Sequence, residues 1–263
     1  MTVQMLFYAN AVPVSSGRHA GCSVELGGHA FCRQVNSVPL TAVEFRSAAG
    51  EYPIVFAVGS QGIQPVAVLG LRAQENLFVS EEGHWRGRYV PAFVRRYPFV
   101  FSVAPDDEKR FVLCVDEGFE GFNREGRGEP LFTPEGQPSA YVGKVLHFLQ
   151  EYRAHFLRTR AFCRRLTELD LLETMHARVS AGGRQLAVGG FAAVNRQKLK
   201  ALAGDQLAQL VRSDELELVY LHLQSLRNFD ALRGRLPALP DAAEDLVPGS
   251  LRDAGAGQGV TVH

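Results

Sequence analysis

The chain has 263 residues, 46% of them apolar, and its 28 Lys and Arg balance its 28 Asp and Glu to a formal net charge of zero. That length buries a sizeable core, as one large domain or two small ones. The charge balance argues against broad electrostatic binding to nucleic acid or an anionic membrane, and no apolar run approaches the roughly 20 residues that span a bilayer.

The first residues, MTVQMLFYANAVPV, lack a basic leading region, so a Sec signal peptide is not expected. Four cysteines (Cys22, Cys32, Cys114 and Cys163) are too sparse for a disulfide scaffold, and reduced thiols in the cytoplasm are the expectation. The alternative location is the cell surface, reached by export without a signal peptide and with the tail as signal.

In chain order, Val3 to Tyr8 reads as a first strand and Pro13 to Gly28 as a loop. This loop opens the one arrangement with metal-ligand chemistry, His19-Ala-Gly-Cys22 followed by His29-Ala-Phe-Cys32. Imidazole and thiolate are the preferred zinc ligands, and a two-residue spacer lets both reach one ion. Only six residues part the two halves, which is tight for a zinc loop, and a free Cys is commonly a small buried apolar group. Thr41 with Glu44 forms a capping box for a short helix.

Tyr52 to Phe101 carries the only Trp, Trp85. Pro53–Val58 and Gln64–Leu71 read as a hairpin about Gly59-Ser60-Gln61-Gly62, with Ile54-Val55-Phe56 buried on both faces. Pro53 suits a strand start, and Pro65 implies a second strand that starts late or lies at an edge. Glu81-Glu82-Gly83-His84 is a polar turn. Trp85 and Tyr89 follow, with Arg86 and Arg88 between them. Large aromatics are buried more often than they bind ligands, so these are expected in the core with polar ends hydrogen-bonded. The competing reading is a ligand surface of stacking rings and guanidinium groups, to which Asn76 and His19 also belong as binding candidates. The bland account has Asn76 capping a turn and His19 bonding a loop.

Phe99–Val103 and Arg110–Val115 form a second hairpin about residues 105–108. Glu117 to Pro138 is a long Gly-rich connection, of a kind usually functional or mobile. It matches neither GxxxxGK[ST] nor GxGxxG, so nucleotide binding is not inferred. Helical spacing then starts: 139–157 with Ser139 as cap, and a second helix from Thr159 to Leu169. Arg153, Arg158, Arg160, Arg164 and Arg165 read as a solvated helix face. His147 and His155 lie two turns apart and read as surface residues. Glu173–Ser180 and Gln185–Val194 make a third hairpin about Gly182-Gly183. Asn195 caps Arg196–Leu202, Asp205 caps the helix to Arg212, and Leu216 to Leu232 marks a long final helix. Residues 237–263, rich in Pro, Ala, Gly and Asp, are expected to be a disordered tail.

The fold class is therefore α+β: antiparallel hairpins in the N-terminal half packed with a mostly helical C-terminal half. One domain is expected over 1–236, β-rich over 1–116 and mainly helical over 139–236.

Several segments, in order and spacing, carry a family resemblance. They are Tyr52-Pro53-Ile54-Val55-Phe56, Leu69-Gly70 with Glu75-Asn76-Leu77-Phe78, Trp85 with Tyr89-Val90-Pro91, and Arg96-Tyr97-Pro98-Phe99. Gly128-Glu129-Pro130-Leu131-Phe132, Leu169-Asp170-Leu171-Leu172-Glu173, Gly189-Gly190-Phe191 with Lys198-Leu199, and Ser225-Leu226 continue the series. Over most of residues 13–235 the chain resembles the bacterial SapC family. His19 stands where that family often carries a His, whereas Cys22 and Cys32 lie outside its pattern.

The resemblance implies a surface-layer or outer-membrane uptake setting, beside receptors and halogenase-like or oxygenase-like proteins. It also brings a permease label, which a chain without a spanning segment contradicts. No complete catalytic motif is present, so no catalytic residue is assigned. The reading is a non-catalytic accessory or binding protein whose protein partner or small ligand is open. The alternative is a metal-dependent enzyme, or a partner of an oxygenase-like system, holding zinc or iron through His19, Cys22, His29 and Cys32. That alternative would also draw on Glu75, Asn76, Asp116 or Glu129.

Overall fold

The computed structural model describes residues 6–59, 62–104, 107–181 and 184–236, with the side chains at 108, 109, 177–181 and 184–188 left aside. The predicted strand Val3–Tyr8 lies partly outside these residues. Within them Leu6 and Phe7 form a turn, and the first strand is β1 (Ala11–Pro13). The expected loop 13–28 holds one helical turn, α1 (Ser16–His19), and a short strand, β2 (Ser23–Val24). Then come β3 (Ser37–Pro39), a 3-10 turn (Ala42–Glu44), α2 (Phe45–Ala48), β4 (Ile54–Gly59) and β5 (Gly62–Val68). Past α3 (Ala92–Arg95) lie β6 (Phe99–Ala104), β7 (Asp107–Asp116), β8 (Phe122–Asn123) and β9 (Glu129–Pro130). The remaining elements are α4 (Ala140–Glu168), β10 (Leu172–Ala181), β11 (Arg184–Val194), α5 (Arg196–Lys200), α6 (Gly204–Arg212), α7 (Glu215–Ser225) and α8 (Asn228–Gly234).

The fold is α+β with antiparallel sheets, as the hairpin pattern predicts. Among the described residues three sheets form, in the orders β1-β7-β6, β10-β11-β4-β5-β3 and β8-β2-β9. The third corrects the reading of 117–138 as a bare connection, because two of its dipeptides pair with both sides of β2. Pro65 also differs from expectation. It sits inside β5, between β4 and β3, and β5 starts before it. Its carbonyl accepts from Leu40 N at 2.9 Å, so its N faces the same way, where β3 has already ended and no N–H is needed.

Ser139 caps α4, its hydroxyl accepting from Val142 N at 3.2 Å. The two predicted helices 139–157 and 159–169 are one helix of 29 residues. Thr159 does not break it, because its hydroxyl donates to His155 O at 2.7 Å and accepts from Ala42 N at 2.8 Å. Asn195 caps α5 as predicted, whereas α6 starts at Gly204 and leaves Asp205 inside its first turn. The single final helix is two, α7 and α8. At the break, Asn228 Nδ2 donates to Ala49 O at 2.8 Å and Tyr52 O at 3.0 Å.

Two main cores result. The larger gathers Ile54, Phe56, Val66 and Phe191 of the five-stranded sheet, Phe162 and Leu166 of α4, and Leu199, Leu210, Val219 and Leu232 of the later helices. The smaller joins Cys22, Val24, Phe99, Val115 and Leu131 to Val142 and Leu149. α4 therefore covers one core with its first half and the other with its second, a reach of about 43 Å at 1.5 Å per residue. Ile54, Val55 and Phe56 are all fully buried, as their two-sided apolar pattern requires.

β11 meets β4 over only two pairs, Phe191↔Ala57 and Ala192↔Phe56. Continuing that register sets Val194 opposite Ile54, and there the His222 imidazole stands between the strands. Val194 N donates to its Nε2 at 3.0 Å, and its Nδ1 lies 2.8 Å from Ile54 O. A carbonyl only accepts, so Nδ1 carries the proton and the ring is neutral. Ser225 takes Ile54 N at 2.9 Å and donates to His222 O at 2.6 Å. Burial lowers the His222 pKa from 6.5 to about 4. The unfolded chain binds the proton that the native one refuses. The stabilisation is thus complete above pH 6.5 and is lost as pH falls toward 4, by about 3 kcal/mol at most.

Two outcomes follow from this packing. His222→Leu leaves Val194 N–H and Ile54 C=O buried without partners and should cost about 3 kcal/mol in a urea melt at pH 7.5. The wild-type advantage over the variant should shrink between pH 6.5 and 4; a constant difference would refute the neutral bridge. Gly70→Ala places a Cβ onto the Glu75 carbonyl and should cost about 2 kcal/mol by the same melt.

Candidate functional site

The sequence candidates fall at separate places. α1 turns His19 inward to full burial, and Ser15 N donates to its Nδ1 at 3.1 Å. Nδ1 also lies 3.2 Å from Ser15 O, and Nε2 faces Glu117 Oε1 at 3.2 Å, off the hydrogen-bond line. Arg18 grips Glu117 through Nε at 2.7 Å and Nη2 at 2.6 Å, and this pairing holds the Glu117 carboxyl below its usual range. The unit ties the leading segment to the end of β7. Its neighbour Asp116, also fully buried, accepts from Ala9 N, Asn10 N, Gly118 N and Tyr97 Oη, at 2.7 to 3.2 Å.

The two HxxC halves part. Cys22 packs into the smaller core and Cys32 into the larger one. Cys32 Sγ donates to His29 O at 3.1 Å, and burial raises its thiol pKa to about 12, so it is no thiolate. His29 lies against Trp85, with ring centroids 5.5 Å apart. Burial, then the nearby His84, lowers the His29 pKa. The geometry does not bring His19, Cys22, His29 and Cys32 to one point. Among the described residues no three His, Cys, Asp or Glu side chains converge to hold a metal.

Asn76 is buried within the turn that follows Gly70. Its Nδ2 donates to Cys32 O at 3.0 Å, and its Oδ1 accepts from Phe78 N at 2.9 Å. Trp85 and Tyr89 do come together, half-buried, with polar ends spent inside. Trp85 Nε1 donates at 3.2 Å to both Tyr52 Oη and Tyr89 O, and Tyr52 Oη donates to Tyr89 O. Tyr89 Oη donates at 2.8 Å to Glu44, a buried carboxylate that also accepts from Ala92 N, Thr41 N and the Thr41 hydroxyl. These contacts match the core reading of the aromatics. Burial of Tyr52 and Tyr89 pushes both phenol pKa values up.

The side chains that sequence reasoning missed are guanidinium groups laid on rings along α4. Arg95 lies 5.3 Å from the Phe148 ring and 5.8 Å from Tyr89. Arg96, only 7% exposed, lies 4.0 Å from Phe93, 5.3 Å from Tyr152 and 5.6 Å from Tyr8. The Arg-Arg pair inside the aromatic run Ala92–Phe101 was the available signal. Arg153 lies on the exposed helix face read from the sequence, and there its guanidinium covers the Phe111 ring, 3.8 Å from the centroid. With Phe101, Leu146 and Gln150 these two line an open groove of about 280 Å³ between the β6–β7 hairpin and α4. Its floor is aromatic and aliphatic, and its rim offers one cation and one amide. Its lining includes no group placed for proton transfer or nucleophilic attack.

No helix among the described residues is long and apolar enough to cross a membrane, so the permease label finds no support there. No curated protein and no solved structure matches the chain. One family model does, SapC, over residues 14–232, nearly the whole span that positions these side chains. The chain belongs to the SapC family.

Proposed function

We propose that this chain is a non-catalytic binding or accessory protein, acting in a surface-layer or outer-membrane uptake setting. What carries the reading is where the reactive side chains are spent. His19, Asn76, Tyr89, Asp116 and His222 all serve backbone or buried partners, whereas Phe101, Phe111, Leu146, Gln150 and Arg153 line an open groove. A ligand with an apolar or aromatic body and one acceptor group fits that lining, because stacking and burial hold the body while Arg153 and Gln150 orient its end. The setting comes from the family alone.

The probe is 1-anilinonaphthalene-8-sulfonate, an aromatic body with an anionic end. Saturable fluorescence enhancement is expected, weakened about ten-fold by Arg153→Glu or Leu146→Glu. Binding that is absent, or unchanged in both variants, would sink the groove. The competing metal-dependent reading is checked by elemental analysis of untagged protein beside His19→Ala. Stoichiometric zinc or iron that disappears in the variant would replace the binding reading with a metal site.

A further inference from the structure

The face of α4 that walls the groove continues past it. Leu146, Gln150, Arg153, Leu157, Arg160 and Arg164 follow one another at steps of four, three, four, three and four residues, the alternation that keeps side chains on one line along a helix. At 1.5 Å per residue the line runs about 27 Å. Leu146 is half-buried in the groove and the other five are exposed, Leu157 to 42%. Ala154 and Ala161 stand beside the line, where short side chains let a second helix come near.

The charge of this face has one sign. From Tyr152 to Thr167 the helix carries five Arg and neither Asp nor Glu, in a chain whose net charge is zero. Several exposed guanidinium groups elsewhere are matched within the chain: Arg18 by Glu117, Arg46 by Glu217 and Arg88 by Glu51. On the line, Arg153 lies over the Phe111 ring, and Arg160 makes no ion pair among the described residues. Arg164 reaches Glu168 only at 4.0 Å, with both side chains solvated. An ion pair that exposed is weak and yields to a better placed carboxylate.

The chemistry of the line selects what can cover it. A second copy of α4 would set guanidinium against guanidinium. An acidic amphipathic helix answers cation, leucine and groove together. Its side chains recur at the same steps of three and four, so one apolar side chain enters the groove while carboxylates further along meet the arginines. We propose that this face of α4 docks an acidic amphipathic helix of another protein, with an apolar side chain in the groove and carboxylates on Arg153, Arg160 and Arg164. This docking rests on the groove as the seat of an apolar body, and it names the kind of partner that brings that body.

The probe is a fluorescein-labelled, alanine-based helical peptide of about 20 residues, with glutamates at steps of three and four on one face and a phenylalanine near one end. Fluorescence anisotropy with the full chain should show saturable binding that weakens as salt is raised. Arg160→Glu combined with Arg164→Glu should weaken it about ten-fold with an unchanged circular dichroism spectrum. The same double variant should leave 1-anilinonaphthalene-8-sulfonate binding as it is, because neither residue lines the groove. A peptide of identical composition with scrambled spacing should bind about ten-fold more weakly, which separates a helix from any polyanion. Fluorophore binding without peptide binding leaves the groove standing and overturns the docking. Peptide binding that the double variant weakens, without fluorophore binding, supports the docking and removes the small-ligand reading. Peptide binding indifferent to the double variant or to the spacing would overturn it. So would tighter binding of phosphatidylglycerol vesicles or of oligothymidylate than of the peptide, which would assign the face to a membrane or to a nucleic acid.

Discussion

The imidazole of His222 stands where one β-ladder hydrogen bond would otherwise run, and the arrangement of helices over the five-stranded sheet depends on it. β10 and β11 join that sheet through β4 alone, over two residue pairs. Beyond those pairs the strands are held apart and bridged by α7, through His222 on one backbone group of Ile54 and Ser225 on the other. Only a neutral imidazole accepts from an N–H and donates to a C=O at once. The bridge therefore fixes a tautomer and a helix position together, and it draws the C-terminal helices onto the first long strand of the fold. Asn228 continues the same clamp one turn on, at Ala49 and Tyr52.

A second constraint is the continuity of α4. It packs against both main cores, so the sheet built from β1, β7 and β6 and the sheet built around β4 share a helical wall. Guanidinium groups lie on rings at several points of that wall. Arg95 and Arg153 are exposed and cover aromatic surface as amphipathic side chains do, whereas Arg96 is enclosed.

Many residues of the segments that carry the SapC resemblance prove to be architectural. Gly70 lets the backbone pass the Glu75 carbonyl, Asn76 holds the turn before Phe78, and Trp85 and Tyr89 bond each other and their neighbours. Ser225 serves the backbone of Ile54. Residues of this kind build a scaffold, and a scaffold hosts more than one function.

The local signals in the sequence were strong enough to determine the hairpins, the Thr41–Glu44 box, the caps at Ser139 and Asn195, and the two-sided burial of Ile54 to Phe56. Each depends on residues a few positions apart, where periodicity, turn chemistry and capping act directly. Tertiary structure alone decided the rest. Thr159 ends no helix because Ala42, far away in sequence, meets its hydroxyl. Residues 117–138 gain strands because β2 supplies an edge on each side. Pro65 sits inside a sheet because β3 stops beside it. His19 with Cys22 and His29 with Cys32 look alike as motifs, yet they pack toward different cores, and burial of Arg96 depends on rings from three separate segments. Contacts between distant segments are set by which surfaces meet, and no local pattern in the chain encodes that meeting.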